Sequence, residues 1–258
     1  TRGYLENTID PSTNEPFLKP VGVKLFGEGD DEAILLPGYL RNAYNTAERF
    51  TDLLAQRLQS AGFLKTLLLR RLGSSIEAGR ITAEKMLQSW ETIDSTEDDD
   101  EEVEDMLADG VTGQGRTLTA EEKQVLQQFT NELAEHGGKD PKYQALHRYL
   151  INEGWLEMGC IIFSQYYDTI WWMANQLTAD LPNEPIAIYA GGNKSGILQA
   201  GGFLPAPKET IKAKVKSGEL RLVLGTDAAS EGLNLQRLGT LINLDLPWNP
   251  TKLEQRKG

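Results

Sequence analysis

Cysteine and histidine are nearly missing from this chain. One cysteine, Cys160, excludes an internal disulfide, and with only His136 and His147 beside it a structural zinc site has too few ligands. No apolar run approaches the length of a bilayer span, and no basic stretch followed by an apolar one opens the sequence. The expectation is a soluble protein of a reducing compartment, cytoplasmic and without a membrane partner. A phosphate-cradling loop is also lacking, since Gly-x-x-x-x-Gly-Lys-Ser/Thr occurs nowhere. Gly191-Gly-Asn-Lys-Ser195 has that composition in the wrong order and reads as a turn toward the next helix. Asp30-Asp31-Glu32 resembles a magnesium-binding acid pair but follows Gly27-Glu-Gly29 where an apolar strand would be needed. Alone, the chain is expected to be inert as an ATPase.

Positive charge is scarce overall and unevenly placed. The formal net charge is −12, yet residues 139–258 hold thirteen Lys/Arg against twelve Asp/Glu. The acid excess therefore lies in the first half, much of it in residues 97–105, where eight of nine positions are acidic. Such a run repels itself and reads as a solvated loop. Lys208, Lys212, Lys214, Lys216 and Arg221 cluster in one short span of the second half. A local basic edge suffices for phosphate contact on an acidic chain.

The same split organises the chain. Residues 1–20 read as an extended linker, and residues 21–26 as a short strand. Tyr44, Ala47, Leu54 and Leu58 recur at helical steps, with Phe50 and Leu53 widening the face. Residues 63–72 and 81–90 suggest two more helices around Gly73-Ser-Ser75. Acidic and Gly-rich residues fill 94–117. Thr119-Ala-Glu-Glu122 is a capping box, and Asp140-Pro141 caps a further helix. From residue 159 short apolar runs alternate with helical patterns. Cys160-Ile-Ile-Phe163, residues 186–189, 222–224 and 240–244 read as strands, with helices over 166–181 and 209–215 between them. That alternation predicts a parallel, doubly wound sheet. The expected division is 1–138, a linker and helical insertion, and 139–258, an α/β lobe.

The last residues carry the most information. Leu222-Val-Leu224 runs into Gly225-Thr-Asp-Ala-Ala-Ser-Glu-Gly-Leu-Asn-Leu-Gln236, a polar loop where open α/β sheets place ligands. Gly232 lacks a Cβ, so a phosphate or ribose can approach the backbone there. Thr226, Asp227, Glu231 and Asn234 surround it with hydrogen-bonding groups. The second run leads into Asp245-Leu-Pro-Trp-Asn-Pro250, whose Asn249-Pro250 starts a helix bearing Gln255 and Arg256.

These runs resemble motifs V and VI of superfamily 2 helicases, in the form used by Swi/Snf-type double-stranded DNA translocases and closer to bacterial members. Ile161-Ile-Phe-Ser-Gln165 is similar to motif IV, Ala190-Gly191-Gly192 sits where the family often has a glycine, and Leu67-Leu-Leu-Arg-Arg-Leu-Gly-Ser-Ser75 resembles a helical segment between the family's two lobes. The resemblance implies a RecA-like second lobe preceded by a mainly helical insertion. In the family, motif VI continues past the position of Gly258 into two arginines, so the sequence reads as cut within that motif and holds no catalytic residue.

By the same resemblance, ATP lies between this lobe and an N-terminal RecA-like lobe of the same polypeptide, which supplies the P-loop and Mg2+ ligands. Gly232 and Asn234 would line the nucleotide side, and Gln255 would couple nucleotide to DNA. Ser164, Gln165, Gly191, Gly192, Thr226 and Asp227 would lie along the backbone of duplex DNA, with Thr226 and Ser164 touching a phosphate. Asp227 and Glu231 would hold the loop through hydrogen bonds rather than act as a base. Other readings remain open: an RNA helicase, a restriction-type motor, or a non-catalytic RecA-like module that binds a protein partner. Oligomeric state and pathway leave no mark in the sequence.

Overall fold

The structure is a computed structural model; it describes residues 33–58, 61–88, 117–227 and 238–247, with Thr251, Leu253 and Arg256. Contacts divide the chain into Thr1–Leu35 and Leu36–Gly258, and nearly all described residues belong to the second unit. The linker, the strand over 21–26 and the acidic run lie outside the described residues.

Among the described residues, four helices open the second unit: α1 (Gly38–Ala55), α2 (Ala61–Ser74), α3 (Ile76–Gln88) and α4 (Ala120–Glu135). Leu40, Ala47, Phe50 and Leu54 form one stripe of α1 and bury it. They pack with Leu64, Leu68 and Leu72 of α2, Met86 of α3, and Leu126, Phe129 and Leu133 of α4. Only glycine fits at position 79, where a Cβ would stand 2.9 Å from Leu72 Cα.

The ends of these helices explain where they start. Thr119 and Glu122 form the reciprocal capping box of α4, with the Thr119 amide 2.7 Å from Glu122 Oε2. Arg57, at the end of α1, donates to both Glu122 carboxylate oxygens. Helix α3 begins at Ile76, five residues before the periodic pattern suggests. Its first turn is capped locally by Ser75 Oγ, which accepts the Ala78 amide at 3.1 Å. A second cap comes from afar: Asp140 Oδ2 accepts the Ile76 amide at 2.8 Å. The other oxygen of Asp140 accepts from Lys142 and Tyr143 and so caps α5 (Pro141–His147). One buried carboxylate thus starts two helices.

Beyond α5 lie β1 (Cys160–Phe163), α6 (Tyr167–Asp180), β2 (Ile186–Tyr189), β3 (Gly196–Gln199), β4 (Gly202–Pro205), α7 (Lys208–Ser217), β5 (Leu222–Gly225) and β6 (Thr240–Asn243). The sheet order is β4-β3-β2-β5-β1-β6. Strands β2, β5, β1 and β6 are parallel, while β3 pairs antiparallel with both β2 and β4. Alternate residues of each strand face opposite sides. Cys160, Ile162, Ile188 and Leu224 pack under α5 and α6; Ile161, Phe163, Ala187 and Val223 pack under α7. Burial on both faces is why these strands read as unbroken apolar runs.

The β3–β4 hairpin corrects the expectation that residues 191–195 turn into a helix. They turn into a strand. A Cβ on Gly196 would lie 2.4 Å from the Phe203 ring, so glycine lets the hairpin close on itself. Gly202 takes φ +113° at the bend. Pro205 ends β4 on the sheet edge, where the missing N–H interrupts no ladder.

Candidate functional site

Strand register fixes the site before any side chain is considered. Phe163 is level with Gly225 and Asn243, and Gly225 is level with Tyr189. The residues that follow, Ser164, Ala190, Thr226 and Leu244, therefore form one row along the carboxyl edge of the parallel strands. Ligands of open α/β sheets bind at such an edge.

Arg256 is the hub of this edge, fully buried. Its Nε donates to Asp227 Oδ1 at 2.7 Å, and its NH1 donates to Asn243 Oδ1 at 2.8 Å and to the Asp245 carbonyl at 2.9 Å. The guanidinium lies 5.2 Å from the centre of the Phe163 ring. One side chain thus ties together the ends of β1, β5 and β6. A guanidinium suits this place because its donors fan out in a rigid plane toward several acceptors.

Asp245 organises the neighbouring loop. Its Oδ2 accepts from Ser164 Oγ at 2.6 Å and Ser74 Oγ at 2.7 Å, and its Oδ1 accepts the Gln165 amide at 2.8 Å. Gln165 Nε2 donates to the Leu246 carbonyl, while the Tyr166 amide donates to Ser164 Oγ. Lys142 bridges the Gly73 and Leu244 carbonyls from beneath. Burial pushes its ammonium below the usual lysine range, against opposing pulls from Asp245 and Asp140.

Of the residues singled out in the sequence, six are described. Ser164 is fully buried; its hydroxyl is spent on Asp245 and its amide on the Gly225 carbonyl, so in this arrangement neither reaches an external phosphate. Thr226 differs. Its amide donates to the Tyr189 carbonyl, yet its buried Oγ1 finds no hydrogen-bond partner among the described residues. Asp227 turns its carboxylate into Arg256. Gln165 stands partly exposed beside Leu246, itself exposed. Gly191 and Gly192 form the turn after β2, with Gly192 at φ +59° in the left-handed region. Ser195 closes that turn by bonding both ways with the Ala190 backbone. Gly232, Asn234, Gln255 and Glu231 lie outside the described residues, as does the helix start at Asn249-Pro250.

Arg256, Asn243 and Asp245 are the site residues that the sequence alone does not assign, although Arg256 and Asp245 stand within the motifs. The usable signal is the i, i+2 pair Asn243 and Asp245 at the end of a strand run. No group of His, Cys, Asp and Glu among the described residues could hold a metal ion. No helix among them is long and apolar enough to cross a membrane.

A largely parallel sheet, covered by helices on both faces with polar loops along its carboxyl edge, is the α/β arrangement of a RecA-like lobe. Residues 141–258, a little under half of the chain, match the helicase conserved C-terminal domain family. A 64-residue stretch is 45% identical to YqhH, an uncharacterized ATP-dependent helicase of Bacillus subtilis strain 168; it covers 25% of this chain and 11% of that protein. The Pyrococcus furiosus Hef helicase domain superposes with a TM-score of 0.50 at 14% identity, covering 86% of this chain and 50% of its own, a likeness of fold. The C-terminal part of the Fun30 ATPase domain superposes at 0.44 with 11% identity, covering 86% of this chain and 76% of its own.

Proposed function

We propose that this chain supplies the second RecA-like lobe, residues 139–258, of an ATP-dependent duplex DNA translocase of the Swi/Snf type. Residues 1–138 are then its linker and helical insertion. The observation that carries the reading is the alignment of the Gln165 loop, the Gly191–Gly192 turn and Thr226 along one sheet edge, within a helicase C-terminal domain.

An unpartnered buried hydroxyl costs about 1–3 kcal/mol. The Thr226 hydroxyl has no hydrogen-bond partner among the described residues, and a phosphate oxygen reaching it would remove such a cost. Gln165, Gly191 and Gly192 supply amide and backbone groups beside it, which position a nucleic-acid backbone without reading bases. Asp227, as a carboxylate, repels phosphate; held by Arg256, it shapes the loop. Ser164 acts beneath the contact surface, through Asp245. Gly232, Asn234 and Gln255 line the nucleotide side. ATP, with Mg2+ held by the other lobe, provides the free energy of phosphoryl transfer.

Replacing Gly232 with leucine in the protein that carries both lobes tests this directly. DNA-stimulated ATP hydrolysis should disappear while the variant keeps its circular dichroism and melting temperature. Undiminished stimulation would remove the assignment.

A further inference from the structure

We propose that the Gly73–Ser74–Ser75 junction between α2 and α3 is a positioning element of the sheet-edge site. Through it the helical region holds the loop after β1 and Asp245 in place for a nucleic-acid backbone. Only the last clause rests on the nucleic-acid reading above; the mechanical link does not.

Both serines are buried. Ser74 Oγ lies 2.7 Å from Asp245 Oδ2, 2.8 Å from Thr169 Oγ1 and 3.1 Å from Ser164 Oγ. Ser75 Oγ lies 2.9 Å from Thr169 Oγ1. Each hydroxyl has one proton, and a carboxylate only accepts. Ser74 and Ser164 therefore both donate to Asp245. Thr169 then donates to Ser74, and Ser75 donates to Thr169 while accepting the Ala78 amide. The result is a directed chain, Ser75 to Thr169 to Ser74 to Asp245, that ends on the carboxylate holding the Gln165 amide.

The same junction is held at three more points. Lys142 takes the Gly73 carbonyl, Asp140 takes the Ile76 amide, and the Arg71 guanidinium stacks 4.2 Å above the Tyr166 ring. Residues 71–76 thus grip the loop over residues 164–166 and the end of β6. Apolar packing alone would tolerate sliding of helices on the sheet. Fully satisfied buried polar networks fix one arrangement, and this one is fixed where the site is built.

Amide exchange by NMR on the 258-residue chain tests the link. Ser74→Ala should speed exchange of the Gln165 and Tyr166 amides by about tenfold, the size of a lost charge-assisted hydrogen bond. Ser74→Thr, which keeps the hydroxyl, should restore protection. Thr82→Ala is the control, because the Thr82 hydroxyl donates to the Ala78 carbonyl in its own helix; it should leave both amides protected. Affinity for a fluorescent DNA duplex, read by anisotropy, should fall several-fold in Ser74→Ala and stay unchanged in Thr82→Ala. Unchanged exchange, or equal changes in the alanine variants, would overturn the link. Faster exchange with unaltered duplex affinity would overturn its role in the site. Absence of duplex binding by the unmutated chain would count against the nucleic-acid reading, and the exchange rates would then decide the link by themselves.

Discussion

Arg256 and Asp227 meet at 2.6 Å, guanidinium to carboxylate, with the arginine wholly out of solvent. Asp227 follows β5, whereas Arg256 stands beyond β6. Their pairing closes the sheet edge across β1, which lies between those strands. Removing one partner from a buried pair leaves the other's groups without compensation.

Arg256→Ala should therefore cost about 3–5 kcal/mol of stability, because Asp227, Asn243 and the Asp245 carbonyl all lose a donor. In urea unfolding, the double variant with Asp227→Ala should lose less than the two single losses combined. Additive losses would mean that the pair does not act as a unit.

Glu122 gives a pH dependence with a definite sign. Burial raises its pKa, but hydrogen bonds from Arg57 and the Thr119 amide outweigh that and hold it below the ordinary value. A carboxyl lowered on folding stabilises the protein above its unfolded pKa, about 4.3, and the contribution fades as pH falls through the folded value. The stability advantage over Glu122→Gln should be full at neutral pH and shrink progressively below that unfolded value. Chemical denaturation at a series of pH values measures it; a difference independent of pH would contradict the assignment.

Gly79 and Gly62 make a matched pair in adjacent helices. A Cβ at Gly79 would press on Leu72 Cα and Cβ at 2.9 and 3.1 Å, while one at Gly62 meets nothing within 4 Å. Gly79→Ala should lower stability by about 1–3 kcal/mol through overpacking. Gly62→Ala should raise it by about 0.5 kcal/mol, since alanine gives up less backbone freedom on folding. Thermal melts of the two variants should shift in opposite directions.

Much of this fold was legible because its signals are local. The Thr119 capping box, the Asp140-Pro141 start and the four parallel strands all follow from residues within a few positions of one another. The β3–β4 hairpin was not legible. Its strands are four residues long, and its closure depends on Gly196 lying under Phe203, a contact that only the folded pair creates. The early start of α3 was hidden for a related reason, since Asp140 caps Ile76 from 64 residues away. At the site, the motifs put Thr226 and Gln165 just after two apolar strand runs, and the structure has them following β5 and β1. They did not reveal that Ser164 would be consumed by Asp245, or that Arg256 would turn inward, because both depend on three strand ends meeting.

The central claim, a lobe of a duplex DNA translocase, is tested most directly by ATP hydrolysis of the protein carrying both lobes, with duplex DNA, single-stranded DNA and RNA compared. The account predicts that duplex DNA stimulates hydrolysis most and that Thr226→Val, which replaces the hydroxyl with a methyl group, blunts that stimulation. Stimulation by RNA alone, or hydrolysis indifferent to every nucleic acid, would contradict it.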